Sequence, residues 1–549
     1  MALRDLFRRR RAADPLPGGP EGVRIRVRPH NIPAAEREGR VFPGPLWWGL
    51  FLAAGFYVAA HLSIIWGVWP VHGISPGAGG TLVRDALALV GWLLVLLALR
   101  RLGYRGAWAV VVLPVLIFSL TRPAQFQAFT DPAYQATGTR RAEANHAKAT
   151  RSRLSTIDRA YSEERKAAVY QGPPPPLPDP FARAVRREAE ARGAIGRWLT
   201  YFPVFIAPLA LLVGYLVSHE PSTLRWVRDH RLIPFIPVLG LFFVLTLFFT
   251  RAGKVGGTTP WELFLPLFVV TWAATLADDA YNLARPGEVM QKQRLLSLFL
   301  YGAAPVLPFL IIRELGLSVV LAGSLAAMLL VGTRRAWWGA LMLAVWGVLV
   351  VIAFNVDPRS ATRLELAYDP YKDLSTLAPA EQEAWAAKLH QMKLFDANVV
   401  TGGLLGQGPG RGHGETAPNA ADDGYITLIA AQWGWVGAMT LVLLYTFFVV
   451  QLLAVAVRER SAFERTLVTG VAMLLGIPFW LATLGGVRVI PLTGVATAFA
   501  AHGGAKLLAS AFAVGLVAGI SHRRVEEERL EGALAPPPVE PENEGVRVR

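Results

Sequence analysis

The chain has 549 residues, 53% of them hydrophobic and 17% charged, with a mean hydropathy of +0.37, which excludes an ordinary soluble globular domain. Its formal net charge is +15, but much of the basic excess flanks apolar segments, where insertion bias and anionic headgroups account for it, so nucleic acid is not expected as a partner. With no cysteine, disulfides, thiolate nucleophiles and cysteine metal clusters are excluded.

Residues 1–45 open on "MALRDLFRRRRAADPLPGG", basic and followed by polar residues rather than an apolar signal core, and are expected to be a cytoplasmic tail. A helix needs about 20 apolar residues to cross the hydrocarbon core, because lipid offers the backbone no hydrogen-bond partner. That test places spans at 46–68, 82–99, 105–121, 196–217, 232–250, 260–278, 294–312, 316–332, 336–354, 424–452, 466–485 and 503–521. The expected fold is therefore an all-α polytopic membrane protein with about twelve transmembrane helices. The first three occupy 46–121, and a charged, Pro-containing insertion follows at 122–195, with "QGPPPPLPDP" between two stretches expected to be helical. A transmembrane core fills 196–354, a large extracytoplasmic loop 355–423, and the last three helices 424–521. The tail 522–549 has too little apolar content to fold and is expected to be disordered. In this layout the basic clusters, among them Arg100 and Arg101, Arg334 and Arg335, and Arg523 and Arg524, fall on one side, which predicts both termini in the cytoplasm.

The loop 355–423 ends in "TGGLLGQGPGRGHGETAPNAADDGY", against the apolar run that follows. Its glycines allow close approach of a bulky headgroup, Arg411 and His413 add donors, and the helix starting near Gly424 presents free N–H groups. Asp422 or Asp423 also reads as the N-cap of that helix. Further ionisable residues stand inside spans: Glu262, Arg313, Glu314, His502 and Lys506. Charges at membrane depth are costly and usually face a protein cavity, so together they outline an outward-facing polar cleft. Taken singly, Arg313 and Glu314 also fit an interfacial loop, and Lys506 a snorkelling side chain.

Several segments between about 240 and 521 carry a family resemblance: "TTPWELFLPLFVVTWAATLAD", "LIIRELGLSVVL", "AYDPYKD", "PNAADDGYITLIAAQWGWVGA" and "VIPLTGVATAFAAHGGAKLLAS". Their order and spacing resemble the SEDS proteins, the RodA and FtsW group of peptidoglycan polymerases. Pro260 and Glu262 stand in register with that family's Gln-Pro-Ser-Glu-Leu, Glu314 and Gly316 with its Asp-Leu-Gly, and Asp369 and Pro370 with its Trp-Leu-Asp-Pro turn. Counted from Pro418, the functional aspartate falls on Asp423. The resemblance implies a ten-helix core preceded by two extra N-terminal helices, in the bacterial cytoplasmic membrane. It implies polymerisation of lipid II at the outer face, with Asp423 as general base and Glu262, Arg313, Glu314, Gln391, Gly402, Gly403, Arg411 and Lys506 around the substrate. A divalent cation, Mg²⁺ or Mn²⁺, and a class B penicillin-binding protein as partner are implied with it. The sequence departs from the pattern in several places: Leu265 replaces a lysine, Ala496 and Ala498 replace prolines, Ala501, Ala505 and Lys506 replace serines, and Gly424 replaces an aromatic. A flippase or secondary transporter for a lipid-linked precursor, and a non-catalytic scaffold for a cell-wall synthase, are the alternatives.

Overall fold

The computed structural model describes residues 44–67, 69–72, 78–130, 203–230, 236–237, 239–240, 260–284, 315–356, 365, 375, 379–411 and 420–534. Three helices come first: α1 (Gly44–Gly67), α2 (Ala78–Arg101) and α3 (Trp108–Thr130). Then follow α4 (Pro203–His219) and α5 (Pro221–Asp229). After a 3-10 turn, Pro260–Phe264, come α6 (Leu265–Ala284), α7 (Leu315–Thr333), α8 (Ala336–Val356) and α9 (Pro379–Gly402). The last are α10 (Tyr425–Arg458), α11 (Ala462–Gly486) and α12 (Gly504–Leu534). Seven of these are long and apolar enough to cross a membrane, and the pair α4 and α5 makes an eighth if counted as one bent span. The molecule is an all-α multi-pass membrane protein. The spans expected at 232–250 and 294–312 lie almost wholly outside the described residues, as do 1–43, most of 122–195, and 535–549.

Apolar composition makes these segments helical, and packing then divides them into layers. α12, α3 and α11 are the most enclosed, whereas α1 and α2 turn Trp48, Phe51, Leu52, Leu87 and Leu94 outward, as lipid-facing helices do. α11 starts at an N-cap serine, Ser461, whose Oγ accepts from the Glu464 N–H at 3.5 Å. Pro114, Pro123 and Pro478 lie inside helices, where neighbouring segments can take up the freed backbone groups.

Four expectations change. The span expected at 196–217 ends at His219 and turns by 82° into α5, whose Pro221 sits at the helix start where its missing N–H costs nothing. α3 runs on to Thr130 rather than stopping at 121. The segment 355–423, read as a loop, contains α9. Residues 522–534, expected to be disordered, continue α12, tied down by Arg523 to Glu464 at 2.6 Å and Arg460 to Glu531 at 2.5 Å. Composition misses this because the tail's charges find partners on α11 and on the turn before it.

A buried ion cluster also escaped the sequence reading. Arg84 Nε and Arg122 Nε donate to Asp85 Oδ1 at 3.1 and 2.9 Å, and His61 Nε2 stands 3.4 Å from Asp85 Oδ2. These residues come from α1, α2 and α3, so one carboxylate ties the N-terminal helices together. The available signal was a charged pair inside the expected span 82–99.

Glu459, in the turn between α10 and α11, is buried. Burial, and then the Glu464 carboxylate, push its carboxyl from 4.5 up to about 8, against the pull of Arg524 and Arg523. The folded state thus holds a proton that the unfolded chain releases, so this contribution to stability is full below about pH 4.5 and is lost as pH rises through about 8. Glu459→Gln, which stays neutral, is expected to flatten the fall in thermal midpoint over that range. An unchanged pH profile of unfolding would count against the assignment.

Candidate functional site

α9 packs along α10 and positions Gln391, Phe395 and Asn398. Phe395 and Asn398 are buried, and Gln391 is half-buried with an Nε2 that makes no hydrogen bond among the described residues. Asp396 of α9 pairs with Arg488 at 2.9 Å, which fixes α9 against the turn after α11.

At the end of α9 the glycine-rich segment docks onto a break in α10. Gly434 has φ 67° and ψ −169°, a conformation open only to glycine, and it interrupts the helical ladder. The break frees backbone groups on both sides, and the glycine segment satisfies them. Gln407 and Gly408 donate to the carbonyls of Ala431 and Gln432 at 3.0 Å each. In return Trp435 donates to Gly403 O at 2.9 Å and Val436 to Leu404 O at 3.1 Å. A Cβ at Gly402 would strike Ala430 O, and one at Gly406 would strike Gln432 O. Gly402, expected to face a substrate, therefore has backbone packing as the visible reason for being glycine, and Gly403, expected there too, has its φ of 55°.

Residues 420–423 form a turn ahead of α10, with Asp423 buried and Asp422 half-buried. The N-cap position falls on Gly424, so the expected aspartate cap is not the arrangement here. A side chain at Gly424 would strike the Phe395 ring, so α9 supplies an aromatic ring where the family pattern has one at position 424 itself. Gly424→Phe is accordingly expected to cost about 1–3 kcal/mol from overpacking. Adding Phe395→Gly should return part of it, with a coupling of about 0.5–3 kcal/mol in a double-mutant cycle read by thermal unfolding. Additive losses would reject the exchange.

The His502 N–H donates to Ala421 O at 2.7 Å and joins the Asp423 turn to the non-helical segment that enters α12. That segment is held on its other side by α3: Thr121 Oγ1 donates to Phe499 O at 3.1 Å, and Gln125 Nε2 to Ala500 O at 2.8 Å. Phe499 sits at φ 63°, which is costly for a bulky residue and is kept by these contacts and by the rings of Trp92 and Phe448. Thr497, between the two alanines that replace prolines, bonds Pro478 O at 3.4 Å. A small cleft beside this segment is lined by Arg122, Gln125, His502 and Gly503. Arg122 Nη1 also donates to Gln125 Oε1 at 2.7 Å, so the cluster on Asp85 reaches this wall.

Lys506 lies in the first turn of α12, where the helix dipole disfavours a cation, and Glu262 of the 3-10 turn stands 3.8 Å away. Both are buried, and Lys506 Nζ makes no hydrogen bond among the described residues. Two residues read on separate spans thus form one pair. Arg411 is exposed, and its backbone N–H bonds Gly408 O at 3.2 Å. Arg313, Glu314, Asp369, His413 and Pro418 lie outside the described residues.

The model of a family described as "Cell cycle protein" and named for FtsW, RodA and SpoVE matches residues 225–526, more than half of the chain. "Peptidoglycan glycosyltransferase RodA" of Mycobacterium bovis is 29% identical over 210 residues, 38% of this chain and 42% of the relative. The chain thus spans less than half the length of that relative. "Probable peptidoglycan glycosyltransferase FtsW" of Geobacter sulfurreducens is 27% identical over 308 residues, 52% of this chain and 77% of the relative. A solved chain described under "Structural coordination of polymerization and crosslinking by a peptidoglycan synthase complex" aligns at 19% identity and a TM-score of 0.44, over 61% of this chain and 96% of that one.

Proposed function

This chain belongs to the FtsW, RodA and SpoVE family, and on that premise we propose that it is a peptidoglycan glycosyltransferase that polymerises lipid II at the outer face of the bacterial cytoplasmic membrane. The observation that carries the reading is the buried Asp423 on a turn bonded, through Ala421 and His502, to the segment that ends in Lys506 and its partner Glu262. In this reading Asp423 takes the proton from the GlcNAc 4-hydroxyl of one lipid II. The freed oxygen attacks C1 of the MurNAc at the end of the donor chain, and undecaprenyl diphosphate departs. Lys506 turns from Glu262 toward the leaving diphosphate, and Arg411 and Arg313 serve the same charge.

Adjacent carboxylates at Asp422 and Asp423 are hard oxygen donors, a set that suits Mg²⁺ or Mn²⁺ shared with substrate phosphates. Such an ion would neutralise the leaving diphosphate. Gln391 and Glu314 complete the substrate's surroundings in this reading, and Gly402 and Gly403 shape its wall. A class B penicillin-binding protein is the proposed partner, and both termini are proposed to be cytoplasmic.

The test is purified chain with fluorescent lipid II, with and without Mg²⁺ or Mn²⁺ and the partner, resolved on a polymer gel. A ladder of glycan products is expected. If a known polymerase of the family gives a ladder under the same conditions and this chain does not, the reading fails. Lipid II crossing a liposome bilayer without covalent product would then favour a transporter.

A further inference from the structure

At the other end of α12 the chain gathers a different set of groups, independent of the reaction proposed above. α4 and α12 approach each other backbone to backbone at Gly214 and Gly515. A Cβ at Gly214 would strike Phe512 O, one at Gly515 would strike Leu211 O, and one at Gly519 would strike Ser218 Oγ and Tyr215 O. Gly515 and Gly519 have the four-residue spacing that lets two membrane helices approach closely. Just past this crossing, His219 of α4 meets His522 and Glu526 of α12. One ring nitrogen of each histidine and a Glu526 carboxylate oxygen all lie within 4.8 Å of one another.

Three features mark this as more than a chance cluster. His522 and Glu526 are four residues apart on one helix face, a chelating spacing, with His522 Nε2 3.3 Å from Glu526 Oε1. His522 Nδ1 is bonded to Tyr215 Oη at 2.8 Å, and the two rings stack, so the imidazole is oriented with Nε2 toward Glu526. His219 Nδ1 is buried and makes no hydrogen bond among the described residues, and its ring stacks on Tyr215. Metal-bound histidines are usually oriented by a hydrogen bond at the second nitrogen, which Tyr215 supplies for His522.

The geometry points to a divalent transition-metal site of the zinc class, held by His219, His522 and Glu526 with a remaining position for water, that staples the end of α4 to α12. Two imidazoles and one carboxylate suit Zn²⁺ and its Co²⁺ surrogate better than Mg²⁺, which prefers an all-oxygen shell. With Nδ1–H donating to Tyr215 Oη, His522 keeps its Nε2 lone pair for the metal. The site lies about 24 Å along the helix from Lys506, at about 1.5 Å per residue, so its ion is distinct from one that would serve a diphosphate there. Stapling at this point would fix the 82° turn from α4 into α5, because His219 is the last residue of α4.

The experiment uses the full chain in detergent micelles or nanodiscs, its purification tag removed, stripped with chelator and titrated with Zn²⁺ by calorimetry. Metal content after gel filtration and the visible absorption of Co²⁺ are read in parallel. One Zn²⁺ per chain and a thermal midpoint raised by Zn²⁺ are expected. Glu526→Gln alters a side chain that is 44% exposed, so the variant folds; it and His219→Ala should each weaken binding at least about ten-fold. Tyr215→Phe keeps every ligand and should weaken it by about 10–100-fold through the lost orientation. A chain that takes up no Zn²⁺, or variants that bind it as the parent does, would overturn the assignment. The first outcome would leave His522 and Glu526 as a side-chain contact along one helix face, and the second would place the metal elsewhere.

Discussion

Asp423→Asn is expected to lower the rate of glycan polymerisation by about 10² to 10⁴ while leaving the fold intact. The amide has nearly the shape of the carboxylate, so the buried turn keeps its packing, but it cannot take a proton at neutral pH. On the proposed mechanism the loss falls on turnover rather than on lipid II binding, and corresponds to about 3–5 kcal/mol of transition-state stabilisation. The checks are initial rates on fluorescent lipid II at saturating substrate and a thermal midpoint within error of the parent. A variant that polymerises at the parent's rate would move the base role away from Asp423. A variant whose midpoint collapses would make Asp423 a structural residue of the turn. Because Asp423 is buried beside a turn bonded to His502, the two readouts separate these roles.

Gly434→Ala should destabilise the protein by about 2–6 kcal/mol, the sum of a backbone strain of about 1–3 kcal/mol and overpacking of about 1–3 kcal/mol. Strain arises because φ 67° with ψ −169° is open essentially to glycine alone. Overpacking arises because the new Cβ would meet Gly406 N and the Leu404 carbonyl, which belong to the segment docked on the break. Relief of either requires that segment to lift, which exposes the carbonyls of Ala431 and Gln432 and the N–H groups of Trp435 and Val436. A lower midpoint in detergent, with faster proteolysis near 403–411, is the expected result. Gly437→Ala is a poor control, since its Cβ would strike Trp433. Gly403→Ala is the better one: it lies at φ 55°, but its Cβ would meet nothing within 4 Å, so it isolates strain from overpacking. Equal losses for Gly434→Ala and Gly403→Ala would mean that the docking contacts contribute little.

The segments legible in the sequence were those where one local property decides the outcome. Apolar runs had to become helices, and so 316–332, 336–354 and 466–485 fall inside α7, α8 and α11. Motif order points to the family, and Glu262 and Lys506, each improbable alone at membrane depth, form a pair. The glycines were read for their conformational freedom, which is correct, but their use depends on a partner some thirty residues away in the chain. Nothing local in "TGGLLGQGPGRG" says that α10 breaks at Gly434 to receive it. The same limit hid Phe395 over Gly424, the Asp85 cluster, and the partners that extend α12 to Leu534.

The sequence by itself determined that the chain is an all-α membrane protein and which residues are too polar to lie in lipid, because the cost of an unsatisfied backbone group or charge in hydrocarbon is a property of each segment alone. Only the tertiary structure decided which of those residues meet. Hydrogen bonds and ion pairs act over a few ångströms, so His502 reaching Ala421, Glu262 reaching Lys506, and His219 reaching His522 depend on how distant helices pack.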